Sequence, residues 1–423
     1  MSHDVQNEIA QLMCHNILRS IISRVKLESV YFAVIADETT DTSGVQQLCI
    51  TLRWVDANLQ SHEDFVGLHE VSDASAKGTT DVILDVLLRF GLDVRNLRGQ
   101  GYDGCSVMAG RDNGVAARIR QQEKRAVFVH CSAHSMNLAV QEAAASTPMI
   151  RDCLSLVHDL VLFFRNSPTR TRVLQGVPSG ECGITTLKPL CPTRWSVRAV
   201  SVSSVLRNYS VIMEALEEIA ATKHDDSATR ARGFLRTLER FETLLALRQA
   251  QLIFGIIDDS NVALQCPSLT LSSAKSIGDA TEKQLTGKRS DDKFHELFST
   301  AVTDAERLDI GQPQLPRNRR VSSRLDESRS AAAQFNSAEE YYRKQYYEFL
   351  DSAISSVNRR FSQPGMDLAC KMESVLLGAA TGKEPDVDDI TSVVDFYGDL
   401  DQERLMRQLE ILPVSFCINI SST

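Results

Sequence analysis

A cluster of acidic and hydroxyl side chains follows an apolar run near the N-terminus. Residues 34–41 read Val-Ile-Ala-Asp-Glu-Thr-Thr-Asp, a pattern typical of a buried strand whose end opens onto a polar site. The carboxylate of Asp37 would then sit on rigid backbone and suit a hard divalent cation such as Mg²⁺. The alternative interpretation is structural, with Asp41 and the two threonines making only a turn.

A second isolated carboxylate, Asp103, follows another short strand. Residues 97–104 read Leu-Arg-Gly-Gln-Gly-Tyr-Asp-Gly, and the glycines allow positive φ and close backbone approach there. The two aspartates can act together only if the fold brings their strands side by side.

The order of the predicted elements is that of a fold in which these two strands are neighbours. It is three strands, helix, strand, helix, strand, helix, which predicts an α/β domain with an RNase H-like mixed sheet and flanking helices. The first and fourth strands would be neighbours, so Asp37 and Asp103 would meet at one edge and could hold cations for in-line phosphoryl transfer. The predicted strands are residues 30–36, 46–55, 64–71, one starting at 97, and 126–130, and the predicted helices are 5–28, 79–90 closed by Gly91, 115–122 and 135–145.

Periodicity also predicts which side chains are buried. In the first helix one apolar stripe is expected to face the core. In the sheet and its helices seven residues should be buried. The stripe is Ile9, Leu12, Met13, Ile17, Ile21, Ile22 and Val25, and the seven residues are Val34, Ile50, Leu52, Val86, Leu97, Val127 and Val129.

Composition narrows the class of protein. The 423 residues carry a net charge of −9, which argues against a surface that binds nucleic acid everywhere. Residues 1–100 hold 8 Lys and Arg against 14 Asp and Glu, whereas residues 101–200 hold 12 against 7. The second hundred is therefore the candidate for a basic face, with chance clustering on a solvated surface as the alternative.

No apolar run reaches the roughly 20 residues of a membrane span. The N-terminus also lacks the apolar core of a signal peptide. The ten cysteines show no paired framework, which fits a reducing compartment. We therefore expect an intracellular protein, nuclear or cytoplasmic, that is not secreted and has no membrane partner.

Four motifs in this order resemble the hAT superfamily of DNA transposases. They are YFAVIADETTD, GYDGCSVMAG, HCSAHSMNLAV and PTRWSVR. The likeness runs from about residue 5 to about residue 400 and favours the domesticated branch of the zinc finger MYM-type 1 proteins and the 52 kDa repressor of the inhibitor of the protein kinase.

The resemblance implies roles for particular residues. Asp37 and Asp103 match the family's metal-binding catalytic aspartates, Cys131 and His134 its Cys-x-x-His at the edge of the active site, and Arg194 with Trp195 its Arg-Trp near the transposon end. The family's third carboxylate, a Glu on a helix after a helical insertion, has no match in this sequence. Its N-terminal zinc-binding domain and its C-terminal dimer-forming region have none either.

The residues themselves leave alternatives open at two of these motifs. Cys131 and His134 lie three apart, yet no second Cys/His pair at zinc spacing is evident, so zinc is disfavoured. A buried thiol and a hydrogen-bonded His that organise the edge of the site are favoured instead. Trp195 either belongs to the core or stacks on an unpaired base, a contact of roughly 1 to 3 kcal/mol per base.

Long helical patterns follow Trp195, over residues 200–221, 229–257, 292–307 and 338–361. We therefore divide the chain into a lead-in helix (1–28), an RNase H-like core (29–199), a helical insertion (200–411) and an unrelated, truncated tail (412–423). A flexible basic linker is expected at about 312–330, where arginines alternate with prolines and serines; phosphate contact there is the alternative.

Three functional hypotheses remain. The first is a transposase-derived domain that no longer cuts DNA and acts as a binding module for nucleic acid or protein, with Mg²⁺ or Mn²⁺ bound only weakly through Asp37 and Asp103. The second is an active metal-dependent nuclease or strand transferase that recruits Glu38. The third is a decayed fragment without a selected role.

Overall fold

The computed structural model describes residues 2–177, 187, 198–222, 225–266, 269–315 and 335–420. It divides into two compact units. The sheet unit comprises Met1–Ser135 with Ser362–Thr423, and the helical unit comprises Met136–Phe361.

Five strands form one mixed sheet in the order β3-β2-β1-β4-β5. β1 runs antiparallel to β2, and β2 antiparallel to β3, whereas β1 and β4, and β4 and β5, are parallel. The predicted α/β class and the adjacency of the first and fourth strands are therefore confirmed. The strands are β1 Phe32–Thr40, β2 Gln46–Val55, β3 Ser61–Glu70, β4 Leu97–Tyr102 and β5 Val127–His130.

Helices flank this sheet before and after the helical unit. α2 ends at Gly91, which adopts the left-handed conformation (φ 63°) that a helix C-cap requires. The helices of the first part are α1 His3–Glu28, α2 Ala76–Phe90, α3 Ser106–Ala109 and α4 Val115–Gln122, with a 3₁₀ turn at Val94–Asn96. α5 Ser132–Ser146 begins in this part, and its residues from Met136 onwards belong to the helical unit. Those of the last part are α15 Pro364–Ala380, α16 Val387–Tyr397 and α17 Gln402–Ile420.

The core of the sheet unit contains most of the residues that periodicity placed there. Six of the seven predicted residues are buried, and Val129 is only half-buried because it lies near the end of the short β5. The buried predictions are Val34, Ile50, Leu52, Val86, Leu97 and Val127.

The predicted burial of the α1 stripe is wrong for its N-terminal half. Ile22 and Val25 are buried and Ile21 packs partly against the core, but the four apolar residues before them are exposed. The helix has 26 residues, about 39 Å at 1.5 Å per residue, and only its C-terminal part packs against the sheet unit. The exposed residues are Ile9, Leu12, Met13 and Ile17.

Two strand boundaries also differ from prediction. β1 continues to Thr40 because its pairing with β2 extends to Gln46, so Asp37 lies within the strand rather than after it. β3 begins at Ser61 because the preceding turn is tight: Asp56 accepts the backbone N–H groups of Asn58 and Gln60.

The C-terminal helices, from residue 362 onwards, belong to the sheet unit. The prediction instead places residues 200–411 in the helical insertion. α15 lies against β5 so closely that a Cβ on Gly365 would be 2.2 Å from the carbonyl oxygen of Phe128. A charged cluster makes a second contact, because Arg125 pairs with both Glu123 and Asp399. Residues 412–420, predicted as an unrelated tail, lie within α17.

The helical unit begins and ends earlier than predicted, since it spans Met136–Phe361 rather than 200–411. The patterns at 292–307 and 338–361 are confirmed, whereas those at 200–221 and 229–257 are each divided between two helices. Most of the predicted linker, residues 316–330, lies outside the described residues. The helices are α6 Pro148–Arg165, α7 Pro168–Gly176, α8 Arg198–Arg207, α9 Tyr209–Thr222, α10 Asp226–Leu238, α11 Phe241–Leu264, α12 Leu271–Gly287, α13 Asp291–Arg307 and α14 Ala338–Phe361.

Candidate functional site

Asp37 lies in β1, and Asp103 directly follows the neighbouring parallel strand β4, at a matching position. Ile35 of β1 pairs with Gly101 of β4, and each aspartate is two residues further along its strand direction. Because side chains alternate along a strand, this register directs both carboxylates to the same region of the sheet edge. The fold thus brings together the two acidic residues that the sequence singled out.

The two carboxylates repel each other. Desolvation raises the pKa of Asp37, the charge of Asp103 raises it further, and the nearby His134 acts in the opposite direction. Asp103 accepts the backbone N–H of Cys105 at 3.2 Å, which fixes its loop. The result is an edge with negative charge that a cation would relieve.

Glu38 is directed elsewhere. Its Oε1 accepts a hydrogen bond from the Thr79 hydroxyl of α2 at 3.3 Å. Desolvation raises the Glu38 pKa, and Asp103 and Asp37 add to this effect. Glu38 therefore feels the charge of the pair, while its hydrogen bond holds it against α2.

Asp41 makes a turn, in agreement with the structural alternative for that residue. Its Oδ1 accepts hydrogen bonds from the backbone N–H groups of Ser43 and Val45, at 2.8 and 3.0 Å, and from the Ser43 hydroxyl. These bonds lower the pKa of Asp41. Asp41 thus closes the β1–β2 hairpin.

Cys131 and His134 lie at the start of α5, beside the aspartates. The backbone N–H of Cys131 donates to the carbonyl oxygen of Tyr102 at 3.1 Å, which joins this segment to the end of β4. The prediction of a buried thiol is wrong, because Cys131 is exposed. Desolvation, with a contribution from the charges of Asp37 and Asp103, nevertheless raises the thiol pKa. A neutral thiol is a poor ligand for zinc, which binds the thiolate.

Sequence reasoning missed two further cysteines at this edge. Cys49 lies directly opposite Asp37 in the β1–β2 register, and desolvation together with the charge of Asp37 raises its pKa. Desolvation and a hydrogen bond to Asp103 raise the pKa of Cys105 to about 11. Only knowledge of the strand register would have identified Cys49, whereas Cys105 could have been found from its place in the Asp103 loop.

A shallow, open basic depression lies on α4 and on the segment between α3 and α4. It has a volume of about 440 Å³ and is lined by three cations, Arg111, Arg120 and Lys124, by one carboxylate, Asp112, and by Ala117 and Gln121. We call it the α4 cleft. All three cations are exposed, so they are accessible to a phosphate group.

The donor set at the aspartates fits a weakly held cation. Two carboxylates supply the oxygen ligands that Mg²⁺ and Mn²⁺ prefer, and phosphate oxygens commonly complete such a shell. Asp37 and Asp103 would hold this cation, which would neutralise charge on a bound phosphate. Among the described residues, no group of three or more His, Cys, Asp and Glu side chains is arranged to hold a metal ion.

The two residues predicted to contact DNA, Arg194 and Trp195, are not among the described residues. Their contact with DNA therefore remains a prediction. None of the helices in the described part of the chain is both long and apolar enough to cross a membrane.

One family model and two known proteins match parts of this chain. A family model described as DUF4371, ZMYM1/FAM200, RNase-like domain, matches residues 1–114. The 52 kDa repressors of the inhibitor of the protein kinase from Mus musculus and Homo sapiens are 26% identical to this chain over 193 and 195 residues. Each alignment covers 44% of this chain but only 25% of the relative, so the match spans a quarter of those proteins. Residues 1–114, which contain both aspartates, are therefore similar to the RNase-like domain that this family model describes.

Proposed function

We propose that this chain is a transposase-derived domain of hAT origin that binds the phosphate backbone of DNA and does not cut it. The observation that carries the proposal is the placement of Asp37 in β1 and of Asp103 directly after β4, at matching positions in the register. The two carboxylates repel each other, and within the described part of the chain no group of three or more potential metal ligands includes them. Such a pair can bind one cation jointly with a phosphate.

The α4 cleft supports the same proposal. Arg111, Arg120 and Lys124 present three exposed cations on the segment that follows Asp103. Lys and Arg that neutralise phosphates supply most of the sequence-independent affinity for DNA. We infer that the cleft holds the backbone while the two aspartates hold a cation against a neighbouring phosphate.

Cleavage would need a third ligand, and in the described part of the chain Glu38 is the nearest candidate. In-line phosphoryl transfer with two cations needs ligands that hold both the attacking and the leaving oxygen. Glu38 follows Asp37 directly, but adjacent strand residues face opposite sides of a sheet, and Glu38 bonds Thr79. This arrangement favours binding over cleavage.

A nuclease is the second candidate, and one observation favours it. The charge of Asp103 contributes to raising the Glu38 pKa, so the two carboxylates are near enough to interact. A rotation of Glu38 away from Thr79 would bring a third oxygen ligand to the pair.

The experiment combines binding and cleavage with one set of proteins. The purified full chain is mixed with a fluorescein-labelled DNA duplex in EDTA, MgCl₂ or MnCl₂; anisotropy reports binding and a denaturing gel reports cleavage. We expect Mg²⁺ to tighten binding, no cleavage, and loss of the Mg²⁺ effect in Asp37→Asn and Asp103→Asn. Asp81→Asn, an exposed aspartate of α2, is the matched control and should behave as the parent protein.

Two results would contradict the proposal. Cleavage that disappears in Asp37→Asn, Asp103→Asn and Glu38→Gln would establish the nuclease instead. Binding that is unaffected by Mg²⁺ in every protein would remove the aspartates from the DNA contact.

A further inference from the structure

The N-terminal half of α1 presents an apolar face that nothing in the described sheet unit covers. Val5, Ile9, Met13 and Ile17 recur four residues apart and form one ridge, with Leu12 beside it. These five side chains are between 43% and 63% exposed. Every residue from 3 to 17 is exposed, so the polar side of this segment is free as well.

The C-terminal half of the same helix is firmly attached. Ile22 and Val25 are buried, and the guanidinium of Arg24 lies 5.0 Å from the ring centroid of Trp54, which is itself buried. An unsupported helix of about 15 residues is only marginally stable in water. The free half of α1 therefore gains stability from any partner that covers its apolar ridge.

The charges beside the ridge identify the partner. Asp4 and Glu8 lie towards one end of the segment and His15 and Arg19 towards the other, and their spacing places all four on one flank of the helix. When two identical helices pack antiparallel, each flank meets the same flank of its partner with the ends reversed. Acidic and basic ends are then opposite each other.

A parallel pair lacks this match. In that orientation the charged flank would face the other flank of the ridge, where residues 3–17 contribute His3, Gln6 and Ala10 and no carboxylate. Charge complementarity thus selects one orientation and one partner.

We propose that α1 joins two copies of this chain as an antiparallel helix pair. A two-fold axis between residues 11 and 12 places Asp4 opposite Arg19 and Glu8 opposite His15 of the second copy. The apolar ridges pack into each other's grooves. Because the interface uses the same patch on both copies, it closes at a dimer.

The first test is the molar mass of the full chain in solution. Light scattering coupled to size exclusion should give twice 46.9 kDa at high concentration, falling on dilution. Ile9→Glu with Leu12→Glu should give 46.9 kDa at every concentration. The matched control, Asn7→Glu with Gln11→Glu, adds the same charge to the opposite face and should remain dimeric. Far-ultraviolet circular dichroism confirms that each variant is folded.

The second test is the orientation of the helices. Arg19→Glu should weaken the dimer, and Asp4→Lys in the same chain should restore it. In a Cys14→Ser background, Leu12→Cys should form an intermolecular disulfide, since it lies beside the two-fold axis. Val5→Cys should not, because the 1.5 Å rise per residue separates it from its own copy by about 20 Å.

The proposal fails if the parent protein is monomeric at all concentrations. It also fails if Ile9→Glu with Leu12→Glu stays dimeric, or if Val5→Cys cross-links as readily as Leu12→Cys, which would indicate a parallel pair. These results are independent of DNA binding, so they do not depend on the proposed function.

Discussion

Removal of the three cations of the α4 cleft gives the most direct measure of phosphate contact. The perturbation is the triple variant Arg111→Ala, Arg120→Ala, Lys124→Ala. All three side chains are exposed, so we expect the variant to remain folded. It should lose only the electrostatic contribution that these cations make to the proposed DNA binding.

The magnitude follows from the number of cations. Each phosphate neutralised by Lys or Arg contributes about 0.9 to the slope of log K against log salt concentration. Three contacts therefore contribute about 2.7. Between about 200 mM and about 50 mM salt, the parent protein should gain roughly 40-fold more affinity than the variant.

The assay is fluorescence anisotropy of a labelled DNA duplex over a series of KCl concentrations. The matched control is Arg53→Ala, Arg89→Ala, Arg95→Ala. It removes the same charge from the same unit, but each of these arginines is already paired with a carboxylate: Glu63, Asp85 and Asp93 respectively. It should change the slope far less.

An unchanged slope in the α4 cleft variant would refute the assignment of phosphates to this cleft. Equal losses in the cleft variant and the control would show that net charge alone, without a defined site, governs binding. A loss confined to the cleft variant is the expected outcome.

Three further predictions concern stability. The folded state raises the pKa of Asp37 above its ordinary value of 3.8. Ionisation of Asp37 therefore destabilises the folded state increasingly as the pH rises from 3.8 through the folded pKa. Asp37→Asn removes this charge and should raise Tm at pH 7, by a margin that shrinks as the pH falls towards 3.8. Glu123, which pairs with Arg98 and Arg125, has a lowered pKa because Arg125 donates a hydrogen bond to it. Since solvent screens these partly exposed arginines, Glu123→Gln should cost about 1 kcal/mol in urea unfolding at pH 7, and less as the pH falls through the folded Glu123 pKa. Gly278→Ala would place a Cβ 2.5 Å from the Phe361 ring and should lower the free energy of unfolding by about 1 to 3 kcal/mol. Gly255→Ala, whose Cβ would have nothing within 4 Å, should raise it by about 1 kcal/mol. Equal effects of the two substitutions would contradict the close packing of α12 on α14.

The sheet was predictable because strand order and chain direction leave few arrangements. Short segments rich in apolar and β-branched residues, bounded by turn residues, predicted every strand. The helical patterns between β3 and β4 and between β4 and β5 indicated parallel crossovers. The adjacency of β1 and β4, and with it the meeting of Asp37 and Asp103, was predicted by interpreting that order as an RNase H-like sheet; the order alone does not establish it. The proximity of Cys49 to Asp37 did not, since it depends on the β1–β2 register rather than on periodicity.

Helical periodicity was less informative about which part of the fold each apolar face packs against. It identified the apolar stripe of α1 but could not show that the N-terminal half has nothing of the described sheet unit beneath it. It also could not locate the breaks near Asn208 and Arg240, where the apolar pattern continues across two helices. α12 was missed because its sequence is rich in Ser, Thr, Gly and Lys, so its burial rests on small residues such as Ala274 and Gly278.

The difference between a domain that binds DNA and one that cuts it rests on a single alternation in β1. Asp37 and Glu38 are consecutive, and a strand directs consecutive side chains to opposite sides. The sheet therefore presents Asp37 to Asp103 and presents Glu38 to Thr79, where a hydrogen bond holds it. Two carboxylates in repulsion bind a cation most favourably when a phosphate completes its shell. Under the proposed function, the charge of the two aspartates would therefore favour binding of a nucleic acid together with a cation rather than its cleavage.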